Sequence, residues 1–409
     1  MAPRATTFDY ESEFMLDEWD FQLTTRIQFG RGRFESLGEA AREFGRKALL
    51  VGYRDRAGLE PAYAKASATL AAAGVSVTEF FEIPPDPDAA LGKQGAQAAS
   101  EVGADVVIGL GGGSAIDAAK GIAILAQSGG DLWDYTGANP DSRPVAAALP
   151  VIAVPTTAGT GTEVSPIAVF THPDVGTLSK HPIKASISSP LICPRVALVD
   201  PELAVGSPRG LTAACGADAL GHAIEACMSR RANPVSWALA GKAVRLVVEN
   251  LAAAVEHPDD PQPREPLALA ATLAGAAFSF AGVVMTHAIA QALGGVLHVP
   301  HGEAVAIATP LSLRYNAGHC VEQYSRLATE CGITAASREE QATAFVERIV
   351  GLLQEIGFSE RIDAKGADAD ALADELAQSA RESTPVPLEL NPRPIDQATL
   401  VELLRGMIG

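Results

Sequence analysis

Four residues in the C-terminal half of the chain have the types and spacing to hold a divalent cation. Asp218 and His222 stand four apart in the run Gly216-Ala217-Asp218-Ala219-Leu220-Gly221-His222, so a helix there projects both side chains from one face. His287 and His301 lie in the segment Leu267 to Gly302, which has no Lys, Arg, Asp or Glu and would leave an ion poorly screened and strongly held. One carboxylate with three imidazoles suits a borderline metal, Fe²⁺ or Zn²⁺, and can leave a position for a substrate oxygen. The plainer readings stand beside this one: Asp218 and His222 as a helical polar pair, and a lone histidine such as His298 as a hydrogen-bonded core residue. His172, His181, His257 and His319 read as surface or loop residues. Spacing gives no distance between the Asp218 helix and the two later histidines.

A second kind of site comes from glycine. Gly111-Gly112-Gly113-Ser114 sits between an apolar run and a helical one, where backbone N–H groups at a helix start can face an anion and missing Cβ atoms permit close approach. The alternative is a tight turn capped by Ser114, with Asp117 three residues on completing a capping-box-like arrangement. The run is neither GxGxxG nor a P-loop. Pro155-Thr156-Thr157-Ala158-Gly159-Thr160-Gly161-Thr162-Glu163 follows another apolar run and offers donors without bulk, suited to ribose and phosphate. Two such turns after separate parallel strands strengthen each other, because ligands of open α/β sheets gather beyond the carboxyl ends of the strands.

The elements that must position these residues change character midway. The pattern predicts strands over Lys47 to Val51, Val75 to Ile83, Ala104 to Leu110 and Val151 to Val154. Helices are predicted over Leu59 to Ala73, Ala89 to Glu101 and Ser114 to Ala126, with a break at Pro84-Pro85-Asp86-Pro87. This alternation builds a parallel sheet. After about Pro201 helical spacing dominates, in Leu211 to Met228, Trp237 to Val255 and Phe345 to Ile356, with a surface loop over His257 to Pro266. Leu267 to Met285 is long enough to be a membrane-span candidate, but its Ala/Gly composition and polar continuation read as buried helices.

Composition narrows the function classes. Lys plus Arg number 31 against 49 Asp plus Glu, a net charge of −18 that repels phosphate backbones and anionic lipid, so neither nucleic acid nor membrane is an expected partner. The five cysteines lack CxxC spacing and indicate no disulfide framework, which fits a reducing, cytoplasmic compartment. Cys215 reads as a packing residue. Met-Ala-Pro-Arg and the acidic stretch to Asp20 do not resemble a secretion signal.

Taken together, Gly111-Gly112-Gly113-Ser114-x-x-Asp117-x-x-Lys120, the Pro155 to Glu163 run, Asp218-Ala219-Leu220-x-His222-x-Ile224-Glu225 and Pro300-His301-Gly302 resemble the iron-containing (group III) alcohol dehydrogenases. The likeness runs from about Phe21 to Asn316. It implies an α/β Rossmann-like N-terminal domain, residues 1–201 with an acidic extension over 1–20, and an all-α C-terminal domain over 202–409, the architecture shared with dehydroquinate synthase. It implies Asp218, His222, His287 and His301 as ligands of Fe²⁺ or Zn²⁺. Gly111, Gly112, Gly113, Ser114, Asp117, Thr156, Thr157, Thr160 and Lys184 would serve NAD or NADP. The implied reaction is hydride transfer between nicotinamide C4 and a small primary alcohol or aldehyde held at the metal. Where many members carry a second histidine after the third ligand this chain has Gln291, which leaves His298, water or a cofactor hydroxyl for proton transfer. Leu49-Leu50-Val51-Gly52-Tyr53 lacks the acid that NAD-preferring members place there, and Arg54 follows, so the choice of cofactor stays open. Phe278, Val284 and His298 are candidate pocket residues. A homodimer is the default assembly. The rival readings are a lyase or cyclase like dehydroquinate synthase, whose basic phosphate-binding residues are not evident here, and a non-catalytic nucleotide or metal sensor.

Overall fold

The computed structural model describes residues 18–56, 58–84, 87, 89–172, 182–364 and 366–409. His181 and most of the acidic N-terminal extension lie outside the described residues. Eight strands occur among the described residues. They are β1 (Arg26–Phe29), β2 (Lys47–Tyr53), β3 (Ser76–Ile83), β4 (Val106–Gly111), β5 (Val151–Pro155), β6 (Ile167–His172), β7 (Ile183–Ser188) and β8 (Val196–Val199). Six form one sheet in the order β1-β8-β5-β4-β2-β3, and every pairing in it is parallel.

β4 lies at the centre and is buried at all its positions, the result of helices covering both faces. Alternation along the strands sorts the two layers. Leu50, Val106, Ile108 and Ile152 pack with Leu37 of helix α1 (Leu37–Arg42) and Leu70 of α2 (Glu60–Ala72). Leu49, Val51, Val107 and Val151 face Ala99 of α3 (Ala89–Val102) and Ile122 of α4 (Gly113–Ser128). The four sequence-expected strands and three helices are therefore present with ends moved by one or two residues. β6 and β7 form a separate antiparallel pair that the sequence reading left unassigned. His172, expected at the surface, is buried at the end of β6 with its ring 4.8 Å from that of Trp133.

The second half is helical: α5 (Arg209–Met228), α6 (Pro234–Glu256), α7 (Arg264–Ala281), α8 (Met285–Leu297), α9 (His301–Asn316), α10 (Val321–Glu330), α11 (Arg338–Glu355), α12 (Ala369–Ser383), α13 (Pro385–Glu389) and α14 (Gln397–Met407). The loop expected over His257 to Pro266 is shorter, because α7 begins at Arg264. Arg264 is buried, its guanidinium donating to Thr212 Oγ1 at 2.8 Å and the Pro258 carbonyl at 2.9 Å, and these bonds draw the helix start inward. The span candidate is broken in the same region. α7 ends at Gly282, whose φ of 74° stops it, and α8 leaves at 103°. Among the described residues no single helix is long and apolar enough to cross a membrane.

The sheet and the helices meet at glycine contacts. Gly161 holds a left-handed φ of 61°, and a Cβ there would lie 2.4 Å from Gly275 Cα on α7. One hydrogen bond reinforces the seam: Thr272 Oγ1 of α7 donates to Glu163 Oε1 at 2.7 Å. Gly161→Ala should therefore lower unfolding free energy by about 3 kcal/mol, strain and backbone overlap combined. Urea titration checks this, and Gly275→Ala, whose Cβ would meet Gly161 O at 2.4 Å, should behave alike.

Candidate metal centre and dinucleotide cleft

Helical spacing puts Asp218, His222 and Glu225 on one buried stripe of α5, at relative positions 0, 4 and 7. α8 brings His287 and the first turn of α9 brings His301 to the same point. Asp218 Oδ1 lies 3.4 Å from His222 Nδ1, 3.4 Å from His287 Nε2 and 3.5 Å from His301 Nε2. Ligand bonds of about 2.1 Å around a tetrahedral ion give edges of about 3.4 Å, so the separations from Asp218 are of the size one ion needs, and the ligand atoms of Asp218, His222 and His287 all lie within 4.8 Å of one another. Asp218, His222 and His287 form a compact buried trio, whereas the His301 side chain is 34% exposed and marks the open side.

Asp218 Oδ1, His222 Nδ1 and His287 Nε2 are buried with no hydrogen-bond partner. Three inward polar atoms left without hydrogen bonds would be costly, and a cation is the partner whose chemistry they suit. Burial pushes the Asp218 carboxyl up, but the rings of His222, His301 and His287 outweigh it and hold the group well below the usual carboxylate range. Burial drives His222 down to about 3, which keeps the ring neutral with a lone pair available. For His287 burial is outweighed by Glu225 and Asp218, and the ring becomes more basic. Phe278 stacks on His222 with ring centroids 4.3 Å apart and closes that wall to water.

Gly111 ends β4 with φ 152°, and a Cβ there would lie 2.7 Å from Ala115 Cβ and 2.9 Å from the Tyr53 ring. At Gly112 a Cβ would lie 2.9 Å from the Tyr53 hydroxyl, and at Gly113 it would lie 2.6 Å from the Thr160 methyl. Glycine is thus required by close packing of both turns, and the N-terminus of α4 opens between them. Its N-cap is Gly112, without a side-chain cap, so Ser114 lies inside the helix and the capping-box reading does not hold. Burial pushes the Tyr53 hydroxyl up to about 12, which keeps it protonated against the glycine turn.

Of the remaining expected cofactor residues, Thr156 is buried and its N–H donates to Gly111 O at 2.9 Å, tying the two turns together. Thr157 packs against the glycine turn, its Oγ1 3.2 Å from where a Cβ on Gly112 would lie, and Cys215 is close behind Gly159. Burial pushes the Cys215 thiol up to about 12, which leaves it an unreactive packing group. Thr160 Oγ1 accepts from the Thr162 N–H at 3.3 Å. Lys184 on β7 lies against Gly294 of α8, its Nζ 3.6 Å from where a Cβ would be. Asp117 uses both oxygens inside the protein, accepting from Thr162 Oγ1 at 2.5 Å and the Val169 N–H at 3.0 Å. Gln291 stands one turn beyond His287, its Oε1 buried and unpartnered. His298 is exposed in the left-handed conformation at the end of α8, φ 56°, which overturns its reading as a core histidine. Val284 is fully buried at the start of α8.

Sequence reasoning quoted Lys120 only within a motif and read Thr162 only as one donor in the run suited to ribose and phosphate. Lys120 has no exposed surface, and its ammonium donates to Thr162 Oγ1 at 2.6 Å, Ser165 O at 2.9 Å and Ile167 O at 2.6 Å. The Lys120 spacing from Asp117, three residues along α4, was the visible signal. Together they brace the Thr160 to Thr162 turn against the glycine turn.

A parallel sheet ending in a glycine turn, joined to helices that converge one carboxylate and three imidazoles, defines a two-domain, metal-dependent dehydrogenase. The model for iron-containing alcohol dehydrogenase matches residues 24–201, and the model for the C-terminal part of the Fe-containing alcohol dehydrogenase family matches residues 212–408. The chain belongs to the iron-containing alcohol dehydrogenase family. An NAD-dependent methanol dehydrogenase of Bacillus methanolicus is 36% identical over 80% of this chain and 85% of its own. A 1,3-propanediol dehydrogenase of Citrobacter freundii is 34% identical over 95% of this chain and 98% of its own. The crystal structure of an archaeal halo-thermophilic alcohol dehydrogenase from a Red Sea brine pool superposes with a TM-score of 0.88 at 30% identity, covering 96% of this chain and all of that one. The expected fold and the expected activity, a metal-dependent alcohol dehydrogenase, both follow. The synthase-like and sensor readings fall away.

Burial lowers the Lys120 ammonium to about 8, with Asp117, Cys193 and Glu163 pulling the other way. Between that value and the ordinary one of about 10.5 the unfolded chain binds more protons, so this group makes stability rise with pH. Lys120→Met should cost about 3 kcal/mol by stranding its partners. The gap to wild type should widen between pH 7.5 and 9.5 in urea titrations at both values.

Proposed function

We propose that the chain interconverts small primary alcohols and aldehydes with NAD or NADP at a ferrous centre, zinc being the alternative ion. The observation that carries this reading is the buried, unpartnered trio of Asp218 Oδ1, His222 Nδ1 and His287 Nε2, with both ring nitrogens 3.4 Å from the carboxylate oxygen and His301 Nε2 approaching it to 3.5 Å from the open side. When bound, the divalent ion supplies Lewis acidity toward the substrate oxygen and the nicotinamide supplies or takes the hydride.

The protein's part is placement. Asp218, His222, His287 and His301 hold the ion. The backbone N–H groups of Gly111, Gly112, Gly113 and Ser114 at the start of α4 receive the pyrophosphate. Thr157 and Thr160 line the opposite turn, and Thr156 and Asp117 keep the two turns in register. The metal and dinucleotide walls are adjacent: a Cβ on Gly159 would lie 3.0 Å from Cys215, and Cys215 stands one helical turn before Asp218. Lys184 reaches across from β7 to α8 at the ribose side. Phe278 and Val284 exclude water from the reacting carbon. Gln291 orients a hydroxyl or water and cannot itself titrate, so a cofactor hydroxyl, water or the exposed His298 carries the proton outward. Arg54 is paired with Glu82 at 3.1 Å and no acid occupies Gly52 or Tyr53, which leaves the ribose subsite tolerant of either cofactor. Five free cysteines suit a reducing, cytoplasmic setting, and a homodimer is the assembly we assign.

His287→Ala should abolish metal retention and lower turnover by about 1,000-fold, equivalent to roughly 4 kcal/mol of lost charge stabilisation, while dinucleotide binding persists. Metal analysis and 340 nm absorbance with a panel of alcohols read this, and retained metal with full turnover would remove His287 from the centre. Gln291→His should introduce a new ionisation into the pH–rate profile near the ordinary histidine value of about 6.5; an unchanged profile would take position 291 out of proton transfer.

A further inference from the structure

Glu225 is almost fully buried on α5, and its two oxygens do different work. Oε1 accepts the backbone N–H of Val284 at 2.9 Å and of His287 at 3.3 Å. Oε2 is in short contact with His287 Nδ1. α8 starts just after the sharp break at Gly282, and its own N-cap residue, Val284, offers no side-chain acceptor. A carboxylate from another helix therefore supplies what a local Ser or Asp would normally give the orphan donors of a helix start.

The same group decides which nitrogen of His287 faces the centre. A carboxylate can only accept, so the proton of the neutral ring is held on Nδ1 and the Nε2 lone pair points at Asp218. That Nε2 is the atom found buried without a hydrogen-bond partner. Resting on the metal reading above, we propose that Glu225 is a positioning residue: by capping α8 and holding the Nδ1–H tautomer of His287, it sets the affinity of the centre for its ion.

The conservative substitution separates the two roles. In Glu225→Gln the amide oxygen still accepts from Val284 and His287, so α8 stays capped. Its NH₂ then faces His287 Nδ1 and can only donate, which moves the ring proton to Nε2 and turns the ligand atom away from a cation. Co²⁺ serves as the probe, titrated in competition with a chromophoric chelator on the full-length apo protein. The expected result for Glu225→Gln is a 10- to 100-fold higher Kd and an altered visible absorption band. Its apo melting temperature should stay within about 3 °C of wild type, and its dinucleotide affinity should not change. Glu225→Asp should recover part of the affinity, and Glu225→Ala should lose affinity and apo stability together. Wild-type Co²⁺ affinity in Glu225→Gln overturns the proposal, as does an apo stability loss equal to that of Glu225→Ala, which would reduce Glu225 to a fold residue. Failure of the wild type itself to take up Co²⁺, Fe²⁺ or Zn²⁺ would remove the centre and this proposal with it, a result distinct from the other two.

Discussion

A carboxylate placed in an uncharged helical interior is the constraint on which the rest of this protein depends. Asp218 sits at 2% exposure among alanines and imidazoles, where an unpaired charge would cost several kcal/mol. Glu225 adds a second buried acid two turns along the same helix. Two formal negative charges so close together call for two positive ones, and one divalent ion satisfies that balance with neutral histidines. Burial favours that neutral form at His222.

The opposite wall handles charge by different means. α4 presents its uncapped N-terminus, with the helix dipole favouring an anion there. Lys120 is kept away from that opening, buried behind it and consumed by carbonyl and hydroxyl partners. It stiffens the Thr160 to Thr162 turn, and the glycine contact at 161 and 275 carries that stiffness to α7. The distance between a nicotinamide ring and a metal-held substrate would thus be governed by packed backbone, where side-chain rotation has little influence.

Much of this was legible in the sequence. Strong alternation and unbroken apolar runs disclosed the inner strands, since β2, β4 and β5 are covered on both sides. The Asp218 and His222 spacing, with the charge-free run around His287 and His301, pointed to residues that the fold brings together around Asp218. What stayed hidden depends on contacts between distant segments. β1 and β8 have four residues each, too few for a periodic signal, and β6 pairs with β7 across residues 173–181. Ser114 looked like a cap because its type is right, but the chain turns two residues earlier. Asp117 looked free for cofactor because Thr162 and Val169, both far along the chain, could not be seen to claim its oxygens. Glu225 was visible at the seventh position from Asp218, but its partner on α8 was not.

The ligands are not equally anchored. Asp218 and His222 come from the interior of α5 and His287 from the capped first turn of α8, while His301 is the first residue of α9 and stands partly open to solvent. Helix ends open more readily than helix middles, and α9 is entered from Pro300 without a side-chain cap, so His301 is the arm that a local opening would release first. Exchange of a bound ion would therefore begin on the His301 side of the cage.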